Sequence, residues 1–226
     1  DDGVKQTNRN LIAMNTSILQ IGAAIAGSFA VKEIVAITAR FEDLRTTLSS
    51  VEGSAEGGAR AFEFISDFAT QTQFGVEELT NTYIKLRTSG IDPTQELLTT
   101  FTDTAAVTTD QLGTLTAITD LFSRTTSGGL GLEELNRLAD RGVPVFRMLE
   151  ETIGITRLEV SEFGKTAEGA KIITDALIIS LNKDFGGATE DRLGNLSTQL
   201  SNLGIAATNA ADLFGQQFAG ALGDAV

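Results

Sequence analysis

The stretch Ser127–Glu151, SGGLGLEELNRLADRGVPVFRMLEE, decides how this 226-residue chain folds. Leu132, Leu135 and Leu138 recur at helical spacing, with Glu133, Glu134, Arg137 and Asp140 on the other face. Gly142 stands where a left-handed glycine would end that helix. Pro144 suits the first turn of the next helix, where its missing N–H costs nothing. Val145, Phe146, Met148 and Leu149 make this second helix apolar for its length. The pattern predicts a buried elbow of two short helices built from Leu135, Leu138, Gly142, Pro144 and Phe146, with Phe146 as the anchor. No acid–base pair or nucleophile is arranged in it.

Upstream of the elbow the spacing predicts four helices with short connections, hence antiparallel neighbours. Residues 59–72 present Phe62, Ile65, Phe68 and Ala69, and Glu77–Thr88 presents Leu79, Tyr83 and Leu86 before Gly90 stops it. Asp92 is the expected cap of the third, with Pro93 at its first position and Leu97, Leu98 and Phe101 inside. Asp110 is the expected cap of the fourth, with Leu112, Leu115, Ile118, Leu121 and Phe122 inside. Downstream, Gly154 ends a helix, and Thr156 opens a short one containing Leu158 and Phe163. Thr166 then caps a helix over 167–182 that buries Ile172, Ile173, Ala176, Leu177 and Leu181. With Ile178 and Ile179 that helix is apolar on nearly every side, so it is either central to the bundle or docks a partner. Phe185–Gly187 breaks the chain.

Both chain ends carry ridges. Val4, Thr7, Leu11, Met14, Ile18, Ile21 and Ile25 alternate by three and four. A second seam, Ile34, Ile37, Phe41, Leu44, Leu48 and Val51, begins in a shifted phase, which places a stutter or bend near Gly27–Lys32. At the other end Leu193, Leu196, Leu200, Leu203, Ala207, Ala210 and Phe214 repeat the alternation with few charges around them. Leu11, Ile18, Ile21, Ile25, Leu193, Leu196, Leu200, Leu203 and Phe214 are therefore the candidate partner-packing residues. The fold class expected is all-α: a compact multi-helix bundle (54–187) flanked by helical arms at 1–53 and 188–226 with coiled-coil-like seams. The apolar run Ile21–Val31 is shorter than the roughly 20 residues a membrane span needs and is bounded by Gln20 and Lys32, so close helix packing is favoured over insertion.

Composition narrows the function classes. There is no His, Cys or Trp, which removes ordinary zinc sites, Ser-His-Asp and Cys-His arrangements, and disulfides. Neighbouring acidic pairs such as Glu77–Glu78, Glu133–Glu134 and Glu150–Glu151 diverge by about 100° on a helix and do not converge as an acid/base pair. The Gly-rich stretch Glu52–Gly58 lacks the lysine and setting of a phosphate loop and reads as a turn. A net charge of −13 disfavours nucleic-acid binding. No catalytic, cofactor or metal residue is expected.

Several of these segments carry a resemblance. GLEELNRLADRGVPVFRMLEE, GKTAEGAKIITDAL and FGGATEDRLGNLSTQLSNL, with FEDLRTTLSSVEGS and FATQTQFGVEELTNTYIKLRTSGIDP upstream, resemble the N-terminal conserved region of phage tail tape measure proteins, from Phe41 to Leu203. The resemblance implies a structural, non-enzymatic protein inside the tail of a phage, prophage or tail-like particle, one that sets tail length. It implies a homotrimer, contacts with tail tube, tail tip or baseplate hub and assembly chaperones, and a place in the virion after assembly in the host cytoplasm. Members are usually longer, and the absence of Met at position 1 fits a piece of a larger polypeptide. A second reading makes Ile21–Val31 and Leu193–Val226 a membrane-active device for DNA passage, in transient contact with the host envelope.

Overall fold

The computed structural model describes residues 31–126, 129–194, 204–206, 208–209 and 212. Among them every regular element is helical: α1 (Val31–Glu52), α2 (Ala55–Ala69), α3 (Val76–Thr88), α4 (Gln95–Ala106), α5 (Gln111–Thr125), α6 (Leu132–Ala139), α7 (Val145–Ile153), α8 (Arg157–Phe163), α9 (Ala167–Phe185) and α10 (Ala188–Leu193). The chain is all-α, as expected, and one continuous apolar core runs from Phe41 to Leu181.

The second seam is spent inside this core. Phe41 and Leu48 are buried and Leu44 is half-buried, and the Phe41 ring meets Phe62 of α2 edge-on at 5.7 Å. The predicted glycine-rich turn shrinks to Gly53 and Ser54, and Gly57 and Gly58 lie within α2. The physical reason is contact. A Cβ on Gly58 would stand 2.5 Å from the backbone nitrogen of Ser49, so glycine lets α2 lie directly on α1.

A repeat absent from the sequence expectations organises the rest. Ser54, Asp110 and Thr166, each 56 residues after the last, cap α2, α5 and α9. Each side chain accepts the backbone N–H of a glycine three residues on (Gly57, Gly113, Gly169), at 3.0 Å every time. Side-chain capping of this kind contributes about 1 kcal/mol per helix. The same period places Gly75, Gly131 and Gly187 as N-caps of α3, α6 and α10. It also places Ile65, Leu121 and Leu177 at fully buried positions. Three helix pairs, α2–α3, α5–α6 and α9–α10, thus share one local plan, while their mutual packing differs.

The helix at the centre is α4, which packs against α5, α9 and α10. From Leu98 to Ala106 it is buried at every position but Thr99. Thr100, Thr102 and Thr104 sit inside because each hydroxyl donates to a backbone carbonyl of its own helix, at 2.9, 3.0 and 2.7 Å. The expected start of this helix is corrected: Thr94 caps it, accepting Leu97 N–H at 3.3 Å, and Pro93 precedes it. Asp92 instead takes the Arg87 guanidinium at 3.0 Å. Expected core positions Leu112 and Ile172 are exposed, as are Leu158 and Phe163, and Val160 is the buried residue of α8.

Candidate functional site

The elbow forms from purely local rules. Gly142, at φ 89°, donates to Ala139 at 2.9 Å, and Val143 N–H donates to the Leu138 carbonyl at 3.1 Å, the paired bonds of a Schellman stop. Leu138 and Val143, the two apolar partners of such a stop, are both fully buried. Pro144 sits one position outside α7 as its N-cap, its carbonyl accepting from Met148 at 3.0 Å. Leu135, Val145, Met148 and Leu149 are also fully buried. Phe146 does not fill the anchoring position: it is half-buried at the rim, with the Arg157 guanidinium 4.6 Å from its ring centre. On a helix of this register residue 146 falls beside, not on, the stripe of 145, 148 and 149. Behind the elbow, buried Glu134 pairs with Arg124 at 3.1 Å.

Two contacts hold the C-terminal part of the chain. The buried Asp103 carboxylate of α4 accepts Gly187 N–H at 2.8 Å and Thr189 N–H at 2.9 Å, fixing the first turn of α10, and Arg192 donates to the Ala106 carbonyl. Further on, buried Asp212 pairs with Arg45 of α1 at 2.9 Å, and Arg45 lies 4.1 Å over the Phe62 ring. The ion pair places Asp212 against the first helix. Of the candidate packing residues, Leu193 is half-buried at the end of α10. Leu11, Ile18, Ile21, Ile25, Leu196, Leu200, Leu203 and Phe214 lie outside the described residues.

A polar network ties α1 to α3. Tyr83 Oη donates to Glu52 Oε1 at 3.0 Å, and Arg87 reaches the same carboxylate at 3.0 Å. Burial, then the bond to Glu52, pushes the Tyr83 hydroxyl up to about 12, and Glu52 holds Arg87 above its ordinary value. The fold prefers the protonated phenol, so this contribution to stability is fully present below pH 10 or so and is lost as pH rises through about 12. Since Tyr83 is the single tyrosine and there is no tryptophan, tyrosinate absorbance after a pH jump reads it cleanly. The native midpoint is expected near 12, against about 10 in urea. Glu52→Gln should lower it only part of the way, because burial is the larger cause. A native midpoint at the unfolded value would show that the hydroxyl is not engaged. At the start of α8, the Glu159 carboxyl is held below its usual range by Thr156 N–H, then by the Thr156 hydroxyl.

Two half-open grooves mark the surface. One, of about 420 Å³, runs between α3 and α5 past Glu77, Glu78, Lys85, Leu112 and Asp120, with Lys85 paired to Asp120. The other, of about 440 Å³, lies between α1, the start of α3 and residues Gly204, Ile205, Thr208 and Asn209. Neither brings together carboxylates arranged as an acid and a base. Among the described residues there is no group of three potential metal ligands. Among them, too, no helix is long and apolar enough to cross a membrane.

What the geometry defines, among the described residues, is an all-helical bundle joined by caps, clasps and ion pairs. Comparison with known proteins gives that class its family. A family model described as tape measure protein matches residues 32–216. The Mu-like prophage FluMu protein gp42 of Haemophilus influenzae is 28% identical over 193 residues, which is 82% of this chain and 30% of that protein. The chain therefore spans less than a third of the length of the curated relative it matches. No solved structure matches it. The chain belongs to the tape measure protein family.

Proposed function

We propose that this chain is the globular module of a tape measure protein that sets tail length and helps organise assembly of the tail tip and tube. It acts inside the tail as a homo-oligomer, three copies being the number the family resemblance implies. Its partners are tail tube subunits, tip or hub proteins and assembly chaperones, met in the host cytoplasm and retained in the virion. The observation that carries this reading is the family match across 32–216, which covers all but the first residue of the described bundle. The bundle's compactness refines it. A ruler of extended helix measures about 1.5 Å per residue, whereas α1 to α9 fold back on one core. The module thus serves as a fixed point for assembly rather than as ruler length.

In-frame deletion of residues 55–187 from the full-length gene tests this. The expected result is loss of assembled tails. Infectious particles with tails shorter by roughly 200 Å, the helical length of the deleted stretch, would make the segment ruler and sink the fixed-point role.

A further inference from the structure

The groove between α3 and α5 is apolar at its rim and acidic at the start of α3, and the 56-residue repeat supplies an internal control for both properties. Leu112, 52% exposed, stands on the first turn of α5 and lines the groove. At the equivalent positions α2 and α9 carry Glu56 and Glu168, which are exposed as well. A carboxylate there is favoured by the positive end of the helix. The second unit gives up that benefit and holds a leucine in water instead. One exposed leucine is ordinary, but the charges beside it are not.

Glu77 and Glu78, on the first turn of α3, line the same groove. Their equivalents in the second unit, Glu133 and Glu134, are each neutralised by an arginine of the chain, Arg137 at 2.5 Å and Arg124 at 3.1 Å. Where those arginines stand, the first unit carries Asn81 and Phe68. Glu77 is left with Arg40 at 3.9 Å, both side chains largely exposed. Half-buried Glu78 has no ion-pair partner among the described residues. Lys85, the cation among the groove's lining residues, is taken by Asp120. The groove thus keeps two carboxylates without the arginines that serve the same positions one repeat later.

We propose that this groove seats a basic amphipathic helix of a partner protein, whose lysine or arginine side chains pair with Glu77 and Glu78 while its apolar side covers Leu112. The groove's walls are two helices, and the furrow between them suits a third. The sign of the charges selects the occupant. A second copy of this chain brings a net charge of −13, and a nucleic acid brings phosphates, so the carboxylates repel both. That the partner is a tail or assembly protein rests on the role proposed above; its chemistry comes from the groove.

Fluorescence anisotropy of a labelled synthetic helix of lysine and leucine, titrated with the purified chain, tests it. Saturable binding is expected with Kd on the order of 10–100 µM, and the same peptide with glutamate in place of lysine should not bind. Leu112→Glu, which installs the residue of the other two units and suits the helix start, should weaken binding about tenfold. Asn81→Arg, which gives Glu77 the arginine its counterpart has, should weaken it about threefold. Glu77→Gln with Glu78→Gln should weaken it about tenfold. Glu63→Lys with Glu150→Lys removes more negative charge from exposed sites that do not line the groove, and should change binding by no more than about twofold. Absence of saturable binding overturns the proposal. So does binding that follows net charge wherever it is altered, or that ignores Leu112→Glu and Asn81→Arg. Association of the chain with itself that Leu112→Glu abolishes would give the groove to a second copy and overturn it equally. No tail is assembled in this assay, so its failure counts against the groove alone, while the deletion of 55–187 tests the role in assembly.

Discussion

Leu138→Ala is expected to lower the melting temperature of the bundle by roughly 5–15 °C, the consequence of about 2–5 kcal/mol lost at a fully buried leucine. Two effects act together. The vacated volume lies between α6 and the core, where Leu135, Val143 and Val145 are also fully buried. In addition, Leu138 is the apolar partner of Val143 in the stop that turns α6 into α7, so its loss loosens the angle between the two helices. Leu138→Met keeps volume and should cost less than about 1.5 kcal/mol. Leu158→Ala, at an 84% exposed site on α8, should change stability by no more than about 0.5 kcal/mol. Thermal unfolding followed by circular dichroism reads all three. If Leu138→Ala melts within a degree or two of the parent, the elbow is not the structural joint its geometry indicates.

The elbow was legible because its rules are short-ranged. Glycine at the stop, proline at the restart and leucines at three-residue spacing act within one or two turns, so Gly142, Leu135 and Leu138 could be placed from sequence alone. Phe146 shows where that reasoning ends. The sequence pattern makes it the anchor, but the helical angle that puts Val145, Met148 and Leu149 inward leaves residue 146 at the rim under Arg157. Asp92 failed for a related reason: Arg87, five residues back, competes for its carboxylate, and Thr94 takes over the cap.

The central helix was hidden by its threonines. Leu97, Leu98 and Phe101 are the only inward positions the spacing of that helix predicts, and the helix over 167–182 is read as either central to the bundle or docking a partner. Burial went the other way because a threonine hydroxyl can satisfy itself on the preceding turn and then packs like valine. The repeat was missed because the spaced residues differ in type. Ser54, Asp110 and Thr166 share a function, accepting one N–H, not an identity, and only the geometry reveals that each faces a glycine. Leu112 and Ile172 occupy outward positions that a hydrophobicity count places inside.

Asp103→Ala is expected to cost about 2–4 kcal/mol, because two buried backbone donors lose their acceptor together. No other described group approaches Gly187 N–H or Thr189 N–H within hydrogen-bond distance, and Gly187, at φ 85°, has no side chain to cap its own helix. Asp103→Asn discriminates between shape and acceptor chemistry. The amide fills the same volume, but it offers one acceptor oxygen, and its NH2 would face the second N–H donor. It should recover no more than about half of the alanine loss. The damage should also be local at first: hydrogen exchange should rise in α10 before it rises in α5 or α6, since α10 is held to α4 through this carboxylate and Arg192. Asp103→Asn with the stability of the parent, or exchange that rises evenly along the chain, would show that α10 is held by its apolar contacts and that the carboxylate is incidental to how the C-terminal part of the chain is attached.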